Sequence, residues 1–158
     1  MDQENTLYLD LKDGRVTIQM FPDKAPGHVA RIKELVREGY YDGLKFHRVI
    51  PGFMAQTGCP HGTGTGGSGQ NLTAEFNDTP HCRGTASMAR AQNPDSADSQ
   101  FFICFDDAPH LDGQYTAWGQ VTDGMDHVDA VKMGMGGNGA VDDPDSIIAM
   151  KLAADAVD

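Results

Sequence analysis

Apolar residues in this chain come in runs of three to six, each closed off by Gly, Pro, Asn or Asp, and that punctuation limits the fold more than any other feature. The runs fall at 46–50, 53–55, 85–88, 101–105 and 116–121. They have the length of strands and are too short for the long helices of a bundle. Ahead of them, Leu7, Leu9 and Leu11 alternate with polar positions, as do Val16, Ile18 and Met20. Lys12-Asp13-Gly14-Arg15 lies between, so the segment predicts a β-hairpin in which Asp-Gly supplies the positive φ angles of a tight turn. The pattern then changes: Val29, Ile32, Leu35 and Val36 form one helical stripe, with Pro26 near its start and Gly39 beyond its end. That predicts a helix over 26–38. A second short helix is expected near 125–131 and a last strand at 147–152. Many short strands with two isolated helices predict a mainly β domain, a closed barrel or a sandwich with helical caps, spanning 1–158 without internal repeat. The 19 glycines, many of them in 58–69 and 134–139, fit such a loop-rich fold.

Charge and cysteine content narrow the function. Twelve Lys and Arg against 23 Asp and Glu give a formal net charge of −11, which argues against a nucleic-acid backbone or an anionic membrane as partner. No apolar run approaches the ~20 residues that span a bilayer, and the acidic start MDQENTLYLDLKDG does not read as a secretory signal. Three cysteines (Cys59, Cys82, Cys104) without a tight pairing pattern suggest reduced thiols and a cytoplasmic setting.

Three segments concentrate chemically costly residues. KFHRVIPGFMAQTG (45–58) holds an arginine, large apolar groups and an amide: on a strand, Phe46, Arg48 and Ile50 oppose His47 and Val49, and Phe53, Met54 and Gln56 follow a Pro-Gly turn. GTASMARAQNPDSADSQFFICF (84–105) supplies Ala89, Arg90, Ala91, Gln100 and Phe102, and DDAPHLDGQYTAWGQV (106–121) supplies His110, Leu111 and Tyr115. Between the first two lies GTGTGGSG (62–69), whose small residues let backbone approach a ligand closely.

FHRVIPGFMAQTG, GTGTGG, SMARAQNPDSADSQFFIC and HLDGQYTAWGQV, in that order, resemble the signature blocks of the cyclophilin peptidyl-prolyl isomerases over nearly the whole chain. The resemblance implies a closed eight-stranded antiparallel β-barrel capped by two α-helices, with the site on the outside. It implies a catalytic arginine at Arg48, a proline pocket of Phe53, Met54, Phe102 and Leu111, and a substrate-contacting glutamine at Gln56. Gln100 matches a second glutamine, Gly64 borders the neighbouring pocket, and Ala89, Arg90 and Ala91 match a short strand that bonds to substrate backbone. It implies proline-containing segments of client proteins as partners; no cofactor or metal is expected, and since nothing in the sequence demands an oligomer, a monomer is expected. Three positions depart from the common pattern. Arg90 stands where asparagine is usual. His110 replaces a tryptophan linked to tight cyclosporin binding, so only weak binding of cyclosporin-type ligands is expected. Tyr115 replaces a histidine at the pocket edge.

These residue types suit proline isomerisation. The amide C–N bond resists rotation by ~18–20 kcal/mol, and X-Pro bonds exchange over tens to hundreds of seconds. A catalyst needs neither nucleophile nor proton transfer. It needs a donor aimed at the proline nitrogen, which regains lone-pair character only in the twisted state. An always-charged, rigid guanidinium fits that role.

Taken singly, these residues carry blander readings. An arginine on a strand is ordinarily a solvated surface group, and phenylalanines are ordinarily core; only the ordered blocks reverse that. His47 and Phe101, on the opposite strand faces, and Trp118 are assigned to the core. GTGTGG lacks the Gly-Lys-Ser/Thr ending of a phosphate loop and no helical pattern follows it. Cys59-Pro60-His61 and His81-Cys82 carry four potential zinc ligands without finger spacing; were Cys59 and Cys82 neighbours, they would offer a thiol switch. Asp106-Asp107 reads as solvated loop. The rival functions are a proline-peptide scaffold or holdase and a metal or redox domain.

Overall fold

Alternation of Leu7, Leu9 and Leu11 with polar residues builds β1 (Thr6–Leu11), and Val16, Ile18 and Met20 build β2 (Gly14–Met20). The strands pair antiparallel from Thr6 opposite Gln19 to Leu11 opposite Gly14, and all six apolar side chains are buried. The computed structural model describes residues 3–135 and 138–156, so part of the glycine stretch 134–139 lies outside it. Of the turn pair, only Gly14 takes a positive φ (150°), and a Cβ there would meet the His127 ring at 2.5 Å. The backbone angle itself requires the glycine, since the His127 ring could swing aside, and with Asp13 outside the positive-φ region the turn is not a two-residue primed one.

Helix α1 (Pro26–Arg37) buries Val29, Ile32, Leu35 and Val36, as their spacing predicts, and packs against the last strand. The remaining strands are β3 (Arg48–Ile50), β4 (Met54–Thr57), β5 (Thr85–Met88), β6 (Phe101–Cys104), β7 (Ala117–Asp123) and β8 (Ala149–Leu152). Helix α2 (Met125–Asp129) is shorter than the spacing predicts. All eight strands join one antiparallel sheet in the order β3-β4-β6-β5-β7-β2-β1-β8.

The expected closed barrel is met only in part. The sheet is a curled half-barrel whose edge strands, β3 and β8, do not pair. Irregular chain crosses the gap instead: Phe46 N–H donates to Asp145 O, Gly43 N–H to Ile147 O and Val49 N–H to Gly139 O, all at 2.8–2.9 Å. These bonds satisfy edge groups that a ladder would otherwise satisfy.

The core lies inside the curl, with Trp118, Phe101, Tyr41 and Phe46 fully buried, and His47 is buried as well. Phe46 corrects the expected facing, because it shares this core with Val49 instead of siding with Arg48. The ladder begins only at Arg48, so strict alternation does not extend back to it. A second, smaller cluster forms on the outer face. In β6, Phe101 and Ile103 point inward while Phe102 and Cys104 point outward, where Met54, Ala108 and Leu111 join them. That outward cluster positions the site.

Candidate functional site

A cavity of about 290 Å³ opens on the outer face over Met54 and Phe102. Arg48 (β3), Met54 and Gln56 (β4), and Phe102 (β6) reach it from adjacent strands, because register sets Arg48 opposite Gln56 and Gln56 opposite Phe102. Phe53 comes from the turn before β4, His110 and Leu111 from the 3-10 turn Pro109–Leu111, and Ala89, Arg90 and Tyr115 from flanking loops. A second cavity of about 320 Å³ adjoins it, sharing Gln56, Ala89 and Arg90 and adding Gly64, Ala91 and Gln100. All thirteen residues singled out in the sequence thus meet in two neighbouring hollows.

The polar side is one chain of hydrogen bonds. Arg48 donates from Nε to Asn138 O at 2.8 Å and from Nη1 to Gln56 Oε1 at 3.2 Å. Gln56 Nε2 donates to Gln100 Oε1 at 2.9 Å, and Gln100 Nε2 donates to Gly64 O and Gly66 O at 3.0 and 2.9 Å. Each amide is oriented by its neighbours. The guanidinium has five N–H groups; two are engaged among the described residues, which leaves three for a ligand.

The apolar side is a set of rings. Phe53 lies 5.6 Å from His110 at a 37° tilt, and Tyr115 meets Phe102 edge-on at 5.9 Å. Behind Phe102, His81 stacks at 6.3 Å and 24°. The His81 ring is clamped at both nitrogens, Nδ1 against Asp112 Oδ1 at 3.0 Å and Nε2 against Ser87 Oγ at 2.8 Å. Burial pushes its pKa below the usual 6.5 despite Asp112, so the ring is neutral at pH 7. Sequence reasoning weighed His81 only as a metal ligand. Its partners lie six and 31 residues away, and no local spacing signals them.

The glycine loop is fastened from beneath by Cys59, which has no exposed surface and accepts from Gly64 N–H at 3.3 Å and Gly66 N–H at 3.2 Å. Burial alone would raise this thiol, but the backbone N–H groups of Gly66, Thr63, His61 and Gly64 outweigh it and bring the pKa down to about 7. Gly64 itself needs φ +89°. Cys82 lies elsewhere, 3.5 Å from Thr85 Oγ1. Among the described residues no three His, Cys, Asp or Glu side chains gather as a metal site, so the two Cys/His pairs do not converge.

Ala89, Arg90 and Ala91 differ from the expected short strand. β5 ends at Met88, and the three residues run on without a ladder partner; Ala89 N–H donates to Gln100 O and Ala91 N–H to Ser96 Oγ. No helix among the described residues is long and apolar enough to cross a membrane.

Comparison with known proteins agrees across sequence and structure. The profile of the family described as cyclophilin type peptidyl-prolyl cis-trans isomerase/CLD matches residues 6–152. A probable peptidyl-prolyl cis-trans isomerase of Brucella suis is 56% identical over 167 aligned residues, covering 98% of this chain and 85% of its own. Peptidyl-prolyl cis-trans isomerase B of Bacillus subtilis is 49% identical over 124, covering 77% and 86%. Among solved structures, a Hirschia baltica cyclophilin superposes with a TM-score of 0.88 at 28% identity, over 99% of this chain and 77% of that one. A Cryptosporidium parvum cyclophilin-type isomerase, solved in the presence of the dipeptide Ala-Pro, gives 0.86 at 28% identity over 93% and 98%.

Proposed function

The chain belongs to the cyclophilin-type peptidyl-prolyl cis-trans isomerases, and on that premise we propose that it turns X-Pro bonds by a non-covalent mechanism with Arg48 as donor to the proline nitrogen. The observation that carries this reading is one cavity lined both by the Arg48 guanidinium and by the apolar group of Phe53, Met54, Phe102 and Leu111. The apolar wall holds the pyrrolidine ring while the flanking carbonyl turns. Arg48, fixed by Asn138 O and Gln56, keeps donors free for a nitrogen whose lone pair exists only in the twisted state. A donor placed in advance favours that state over either planar isomer. Gln56 and Gln100 take substrate backbone, with Gly64 bordering the adjoining hollow.

Proline-containing segments of folding client proteins are the partners on this reading, and the Ala-Pro dipeptide present with the Cryptosporidium relative supports a proline ligand. With His110 on the rim, cyclosporin-type ligands bind weakly. The three free thiols suit the cytoplasm, with the protein acting as a monomer. A pure proline-peptide scaffold would need the pocket but not the guanidinium held in place. The test is isomerisation of an X-Pro peptide by the purified protein, with and without chelator. Turnover unaffected by chelator supports the reading. Binding without turnover would replace the enzyme with the scaffold, and activity lost to chelator would require a metal.

A further inference from the structure

We propose that Arg90 determines specificity, favouring substrates with an acidic side chain beside the proline. The inference rests on the isomerase reading and names the substrate class of that same site. Arg90 stands where the two cavities meet and lines both, so a peptide whose proline fills one cavity carries its neighbouring residues past this side chain. Its guanidinium is pinned. Nε donates to Gln114 O at 3.0 Å, Nη1 to Ala91 O at 2.9 Å and Gln92 O at 3.2 Å, and Nη2 to Gln114 O at 2.7 Å. The plane is held over the Tyr115 ring at 4.6 Å. Four of five N–H groups are therefore engaged, all by backbone carbonyls, and one Nη2 N–H remains.

Carbonyl oxygens fix a cation without cancelling its charge. Among the described residues no carboxylate comes within 4.0 Å of Arg90, whereas Arg15, Arg31 and Arg83 each have one and Arg37 has two. The proline cavity is lined by Arg48 and Arg90 and by no Asp or Glu. The adjoining cavity holds a single carboxylate, Asp98, whose oxygens already accept from Ser68 N–H at 2.7 Å, Ser68 Oγ at 2.6 Å and Gly69 N–H at 3.1 Å. In a chain of net charge −11 the groove is thus a local cationic spot. Because Arg90 is already ordered, a carboxylate that meets it costs little further side-chain entropy. A lysine there meets like charge at close range. Charges placed this way set selectivity and encounter rate more than raw affinity.

The experiment uses proline peptides that differ only in carrying Glu, Gln or Lys, placed one and then two positions before the proline. For the native protein kcat/KM should rank Glu over Gln over Lys at one of those positions. The Glu-to-Lys ratio should be about three- to tenfold at low salt and should fade above about 0.5 M salt. Arg90→Gln should collapse the ratio and Arg90→Lys should retain it, the ratio being independent of each variant's absolute rate. Equal kcat/KM for Glu and Lys at both positions, or a ratio that survives in Arg90→Gln, would overturn the inference while the isomerase reading stands. Failure to turn over any peptide would instead overturn the isomerase reading, and the inference with it.

Discussion

Arg48 on β3, Gln56 on β4 and Gln100 just ahead of β6 form one hydrogen-bonded chain in which each side chain holds the next in place. Gln56→Leu keeps the bulk but frees Arg48 Nη1 and Gln100 Oε1 together, leaving Gln100 held only through its Nε2. It should lower kcat/KM by about tenfold through lost orientation, read as a fall in rate on an X-Pro peptide with unchanged circular dichroism. Cys59 carries a different prediction, in stability. Its folded pKa of about 7 lies below the ordinary 9.0 of the unfolded thiol. A depressed acid contributes stability that is full above pH 9 and is lost as pH falls towards 7. Native protein should therefore exceed Cys59→Ser in unfolding free energy by roughly 2–3 kcal/mol more at pH 9 than below pH 7; a gap that stays flat with pH would contradict the thiolate nest. At this scale the site was legible only through ordered motifs. Arg48, Phe53 and Met54 chemically resemble any arginine and core pair, whereas the His81 clamp behind Phe102 is made by the fold and leaves no local trace.

Helix α1 shows what a single long-range contact does for an element. Its N-cap, Ala25, offers no side-chain acceptor. Glu75, from a distant loop, caps the helix instead, accepting from Gly27 N–H at 3.0 Å, His28 N–H at 2.8 Å and His28 Nδ1 at 2.6 Å. Burial tends to raise this carboxyl, but the Gly27 N–H and the His28 ring and N–H hold it below the ordinary 4.5. Glu75→Ala should cost about 1–2 kcal/mol in denaturant unfolding near neutral pH. Because the folded pKa is the lower one, that difference should shrink as pH falls below 4.5. The helix itself was legible from Val29, Ile32, Leu35 and Val36, since periodicity is local. Its cap was not, and neither was the start of β3: Phe46 continues the apolar run but leaves the ladder for the core.

At the scale of the molecule, eight short strands with two helices followed from punctuation, but closure did not. Pairing of β3 with β8 is a contact between the far ends of the sheet, and irregular chain around 139–148 supplies those bonds instead. The curl still turns one face inward to the Trp118 core and presents Met54, Phe102 and Leu111 outward, so the strand-by-strand alternation that builds the domain also builds the site. The account stands on Arg48 acting on the twisted amide and not merely shaping a pocket. The direct measurement is kcat/KM for X-Pro isomerisation by Arg48→Ala, with fold checked by circular dichroism and proline-peptide affinity measured alongside. Loss of one such donor should cut the rate by about 10²–10³-fold while affinity for the planar ground state changes far less. A folded Arg48→Ala protein with near-native kcat/KM would contradict it.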